Sequence, residues 1–118
     1  MSKHGRSECP VACTLDIIGD KWTLLIVRDL VLGRHYFKEF LASPEGIATN
    51  ILSNRLVRLV EAGLVEAIPE AATIGRHSYW LTNKGETLVP VMEAIKDWGL
   101  RQIDGTSARI TARAPRSR

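Results

Sequence analysis

A mainly α fold with a small β-hairpin (α+β) is the class that three observations predict. Apolar residues recur at helical spacing over 22–31 and 49–61. Two short segments of strand character, 64–68 and 77–81, flank a loop from Pro69 to Gly75. A further helical pattern follows Thr82 and contains Pro90, which is expected to kink or divide it.

Each element has a local cause. Pro10 suits the first turn of a helix, because its φ is already helical and its missing N–H is not needed there. Leu15, Ile18 and then Gly19 predict that this helix is short. Asp20 is placed to cap the next helix by accepting from its free N–H groups. Trp22, Leu25, Ile26, Leu30 and Val31 carry that helix to a stop at Gly33. A short helical piece is expected from Phe37 to Ala42, followed by the turn Ser43-Pro44-Glu45-Gly46. Thr49 to Glu61 predicts a strongly amphipathic helix with Leu52, Leu56, Leu59 and Val60 on its apolar stripe. Gly63 ends it, the hairpin follows, and Thr82 caps the last helical region. Helix, turn, helix and then a hairpin is the order of a winged helix-turn-helix.

The chain of 118 residues has the length of one domain, divided as residues 1–8, a domain over 9–104 and a basic end over 105–118. Both ends are expected to be flexible. Charges interrupt every apolar stretch, and the first eight residues lack an apolar signal core, so the expected location is the cytoplasm, at the nucleoid, with no membrane role. The net charge of +3 misleads, because Arg109, Arg113, Arg116 and Arg118 stand in the last segment with no acid. Without those four, residues 1–104 carry a net −1. A nucleic-acid reading therefore rests on where charge sits.

A helix in a major groove reads base edges with hydrogen-bonding side chains on its early exposed turns. Thr49, Asn50, Ser53 and Asn54 occupy those positions, with Arg55 and Arg58 suited to phosphates or a guanine edge. Arg76 and His77 stand at the end of the hairpin tip, where a wing approaches the minor groove. Arg34, His35 and Lys38 lie where the first helix of the motif crosses the backbone. Against this stands the plain alternative that these are solvated surface charges. No Gly-rich phosphate loop or nucleophile–base motif appears, so the chain is not read as an enzyme, and no cofactor or metal is expected.

The runs Cys9-Pro10 and Ile18-Gly19-Asp20-Lys21-Trp22-Thr23-Leu24-Leu25-Ile26 resemble the opening of the HxlR family of winged-helix regulators. Phe37-Lys38-Glu39-Phe40, Ile51 to Leu56, Leu59 to Val65 and Tyr79 to Gly85 resemble its later motifs, in order, over residues 9–103. The resemblance implies a homodimer that reads a pseudo-palindromic duplex operator, and repression as the usual outcome. It implies terminal helices at the subunit interface, for which Leu88, Met92, Ile95 and Trp98 are the candidates. Three departures stand out. Ala48 lies where a hydroxyl cap is usual, with Thr49 as the expected substitute; Tyr36 replaces a position often basic; Cys13 is outside the pattern.

Cys9 matches a cysteine that in some relatives senses oxidants or electrophiles, and its place at a helix N-terminus favours thiolate. Cys13, one turn on, is the candidate resolving thiol, although one helix is poor geometry for a disulfide. Inert thiols are the alternative, as is a small-molecule effector site near Trp22 and Trp98. A winged helix used for protein binding or non-specific DNA architecture also stays open; an operator preference of about a thousandfold over random duplex separates these from a regulator.

Overall fold

The computed structural model describes residues 6–107. The arginines at 109, 113, 116 and 118 lie outside that range. The order is α1 (Pro10–Ile18), α2 (Thr23–Val31), α3 (Phe37–Leu41), α4 (Thr49–Glu61), β1 (Val65–Pro69), β2 (His77–Leu81), α5 (Asn83–Glu86) and α6 (Val89–Gln102). The two strands pair antiparallel from Val65 opposite Leu81 to Pro69 opposite His77. Tyr36 adds an isolated bridge to Ser78, so the chain ahead of α3 lies against the hairpin.

The expected caps form. Asp20 accepts from the amides of Trp22 and Thr23 at 2.8 and 2.9 Å and from the Thr23 hydroxyl at 2.5 Å. Thr82 accepts from the Gly85 amide at 3.0 Å. At the end of α4, Gly63 takes φ +78°, its N–H reaches the Val60 carbonyl, and the Leu64 N–H reaches Leu59. This is a Schellman ending, and its usual apolar contact is made by buried Leu59 and Leu64. It also corrects the first strand by one residue: Leu64 belongs to the helix ending, and pairing starts at Val65.

The core joins one face of α2, α3, α4 and α6 to the hairpin. Val27 and Leu30 of α2, Phe40 of α3, and Leu52, Leu56 and Leu59 of α4 meet Leu64, Val65 and Leu81. Three expectations change on packing, and a fourth is decided between its two alternatives. Val60, expected on the apolar stripe, is 40% exposed, while Leu52, Leu56 and Leu59 of the same helix are buried. Pro90 divides rather than kinks: α5 ends at Glu86, and Pro90 sits in the first turn of α6. Met92, expected at a subunit interface, is only 5% exposed and packs into the core of the same chain. Ala48 is the N-cap of α4 without any side-chain bond, and Thr49 does not replace it, so the helix start does not shift.

Candidate nucleic-acid interface

Helices α3 and α4 with the turn between them form the helix-turn-helix, and the turn is fastened from behind. Asp29 of α2 is 2% exposed. Its carboxylate accepts from Arg28, from Arg34 at 3.1 Å, and from the Ser43 hydroxyl in a short bond. Arg28 also makes a two-pronged contact with Glu45, both bonds at 2.7 Å. That fork holds the Glu45 carboxyl below its ordinary range and raises the Arg28 guanidinium above its own. Ser43 and Glu45 belong to the turn, and Gly46 within it takes φ +71°, a conformation that favours glycine. The entry to α4 is thus set by α2, not by the short α3 alone.

The outward face of α4 carries Asn50, Ser53, Asn54 and Val57, spaced i, i+3, i+4 and i+7, all exposed, with Thr49 beside them. Val57, 55% exposed, is the residue of this face that sequence reasoning passed over. Its signal was available, since it falls one helical repeat after Asn50 and off the leucine stripe.

The two arginines of α4 turn elsewhere. Arg55 donates to Asp20 at 3.1 Å and to the Asn54 side-chain oxygen at 2.5 Å. Arg58 donates to the Asp16 carbonyl at 3.3 Å. Both lie on the flank of α4 that faces the α1–α2 junction, where a carboxylate and a free helix-end carbonyl attract them. Arg34 is likewise drawn back onto Asp29. His35 stacks on Trp80 with ring centroids 3.7 Å apart, and its Nδ1 lies 2.8 Å from the Tyr79 carbonyl, so that nitrogen carries the proton and donates. Lys38 is exposed at the start of α3.

The tip between β1 and β2 is closed by two turns, with Glu70 N–H to the Arg76 carbonyl at 2.8 Å. Arg76 is exposed and rests over the Tyr36 ring, 4.2 Å from its centroid; His77 is half-buried. Cys9 is exposed just ahead of α1, and the Cys13 thiol, half-buried, donates to the Ser7 carbonyl at 3.2 Å. Ile95 and Trp98 of α6 are exposed, Trp98 at 59%, and Val11 and Leu15 of α1 are exposed too, whereas Leu88 leans on the core.

Asp20 ties the site to pH. Burial raises its pKa, but the Thr23 hydroxyl, the Trp22 and Thr23 amides and Arg55 together outweigh burial and lower it from 3.8 to about 2. A carboxyl depressed on folding stabilises the fold above its unfolded pKa, and that contribution is lost as pH falls through the folded value. Stability should therefore decline between about pH 4 and about pH 2. Asp20→Asn should flatten that limb in urea titrations at stepped pH. An unchanged limb would mean that other carboxylates produce it.

With this geometry in place, comparison with known proteins is decisive. The model of the HxlR-like helix-turn-helix family matches residues 17–107. The chain belongs to that family. Its fold is the winged helix-turn-helix, mainly helical with a two-stranded antiparallel hairpin. An HTH-type transcriptional regulator of Mycobacterium tuberculosis is 38% identical over 89 residues, which are 75% of this HxlR-type chain and 56% of the relative. The chain thus spans a little over half the length of the mycobacterial relatives it matches. Among solved structures, PA1607, described as a candidate transcription factor, superposes with a TM-score of 0.78 at 39% identity, over 98% of this chain and 86% of the other. The redox regulator HypR in its reduced form gives a TM-score of 0.74 at 31% identity, over 81% and 95%. Among the described residues of the HxlR-type chain, no helix is long and apolar enough to cross a membrane.

Proposed function

We propose that this HxlR-type chain acts as a homodimeric repressor that lays two α4 helices into successive major grooves of a pseudo-palindromic operator. The carrying observation is the outward face of α4, where Asn50, Ser53 and Asn54 are exposed on a helix whose entry is braced by Asp29 and the Arg28–Glu45 fork. Asn is suited to an adenine edge, Ser and Thr49 to several bases, and the Val57 methyls to thymine methyl groups. Arg76 and His77 of the wing, with Lys38, supply phosphate or minor-groove contacts. Arg34, Arg55 and Arg58 contribute by holding the scaffold, which agrees with their internal bonds.

Dimerisation fits the exposed apolar residues of α1 and α6, centred on Leu15, Ile95 and Trp98, with Leu88 at the edge. An exposed Cys9 just ahead of α1 would put a thiol beside that interface, which supports a response to oxidants or electrophiles, in keeping with the description of HypR as a redox regulator.

The test is an anisotropy titration of a duplex that the wild type selects from a randomised pool, against a scrambled duplex, at fixed salt. The selected site should bind about a thousandfold tighter than the scrambled one. Asn50→Ala should lose about 2 kcal/mol at one position per half-site. Deoxyuridine in place of one thymine should weaken wild type and not Val57→Ala. Mild oxidation should weaken wild type and not Cys9→Ser. Equal binding to both duplexes would reject the regulator reading in favour of non-specific architecture.

A further inference from the structure

Tyr36 stands where the family often has a basic residue, and the structure gives it a different task. Its ring supports the Arg76 guanidinium at 4.2 Å. Its hydroxyl donates to one oxygen of Glu70 at 3.2 Å, and the Ser78 hydroxyl donates to the other at 3.2 Å. The Trp80 ring N–H in turn donates to Ser78 at 2.9 Å. Tyr36 also bridges Ser78 through the backbone, and Glu70 is bound to the Arg76 carbonyl through its own N–H. The tip is therefore clamped to the chain ahead of α3 at both its first residue and its last.

At 4.2 Å from the centroid the guanidinium is in cation–π range of the ring, a contact that holds the charge in place without consuming its N–H donors. Arg76 has no hydrogen bond or ion pair from its side chain to the described residues, so those donors are open. Arg76 lines a cleft between α3 and the wing together with Lys38 and His77, over Tyr36, Phe37 and Tyr79, with no acid in the lining. Glu70 lies behind the clamp and not in the cleft lining.

We infer that Tyr36 and Glu70 are positioning residues that hold Arg76 for one backbone phosphate of duplex DNA in this cleft. The inference rests on the DNA reading above. An aromatic residue here replaces a direct cationic contact by aiming a cation from the wing. The ring contact holds the guanidinium in place, while the Tyr36–Glu70–Ser78 bonds fix the tip that carries it.

The test is the salt dependence of affinity for the selected duplex, measured for Arg76→Ala, Tyr36→Leu, Tyr36→Phe and the double variant Tyr36→Leu/Arg76→Ala. Loss of one phosphate contact makes the slope of log affinity against log salt shallower by about one. Arg76→Ala and Tyr36→Leu should each show that change, and the double variant should show it once, because Tyr36 acts through Arg76. Tyr36→Phe keeps the ring and should hold most of the wild-type slope. Glu70→Ala, which leaves ring and guanidinium intact, should make the slope shallower in the wild-type background and change nothing in the Arg76→Ala background. Additive slope changes in the double variant, or a silent Arg76→Ala beside tight wild-type binding, would overturn the inference while leaving the regulator reading intact. Absence of selective binding by the wild type would remove that reading and the inference with it.

Discussion

Asp29→Ala is expected to lower folding stability by about 3–5 kcal/mol, the range for removing one partner of a buried ion pair. The reason is what it leaves behind. Arg28 is 12% exposed at its side chain, and Asp29 is one of its two carboxylate partners. The Ser43 hydroxyl loses its acceptor in a buried position, and the Arg34 side chain loses its ion pair with Asp29. By contrast, the solvent-facing pair Arg6–Asp16 belongs to a class worth about 0–1 kcal/mol. Asp29→Asn should cost less, since an amide oxygen still accepts from Ser43 but the charge match to Arg28 and Arg34 is gone. Urea unfolding at neutral pH measures both. A loss below about 1 kcal/mol for Asp29→Ala would mean that Arg28 satisfies itself on Glu45 alone. Where the variant remains folded, it should also weaken duplex binding, because the turn that sets the entry of α4 hangs from Asp29.

Gly85→Ala should destabilise the hairpin end of the molecule by about 3 kcal/mol, at the upper end of what overpacking costs. A Cβ on Gly85 would sit 2.1 Å from the Leu64 carbonyl oxygen and 3.0 Å from the Leu81 side chain. The first of these is backbone, and it is already engaged as the acceptor for the Thr82 N–H at 3.1 Å. Relief would need movement of the α4–β1 junction, the strand end and α5 together, all of which contact the core. A fall in Tm of roughly 10–20 °C follows from a change of that size in a domain of this length. A Tm within a few degrees of wild type would show that α5 can lift away freely. The glycine is thus required here by a close approach of two backbones and not by a positive φ.

These two residues also mark where reading from local pattern ends. Asp29 sits three residues after Ile26 and one before Leu30, on the core side of α2. Periodicity placed a carboxylate among leucines without naming what would neutralise it. Gly85 stood within a motif, but its neighbour Leu64 is distant in sequence and becomes close only when the hairpin forms.

What sequence decided was local. The α4 bounds at Thr49 and Glu61, the caps at Asp20 and Thr82, the stops at Gly33 and Gly63, and the order of helix-turn-helix and hairpin all depend on residues within about one helical turn of each other. Capping, glycine conformation and apolar period act over that range, so they are legible before folding. The exposed Asn50, Ser53 and Asn54 follow from the same period. Tertiary structure decided where long side chains go. Arg55 reaches Asp20 and Arg58 reaches the end of α1, 35 and 42 residues away in the chain, so two arginines expected at DNA make bonds within the fold. Met92 fills the core while Trp98, on the same helix, faces outward. Tyr36 and Glu70, 34 residues apart, become one clamp. A pattern assigns a residue to a face. Which carboxylate, carbonyl or ring waits opposite that face depends on segments far along the chain, and flexible cationic side chains settle on whichever partner the fold brings within reach.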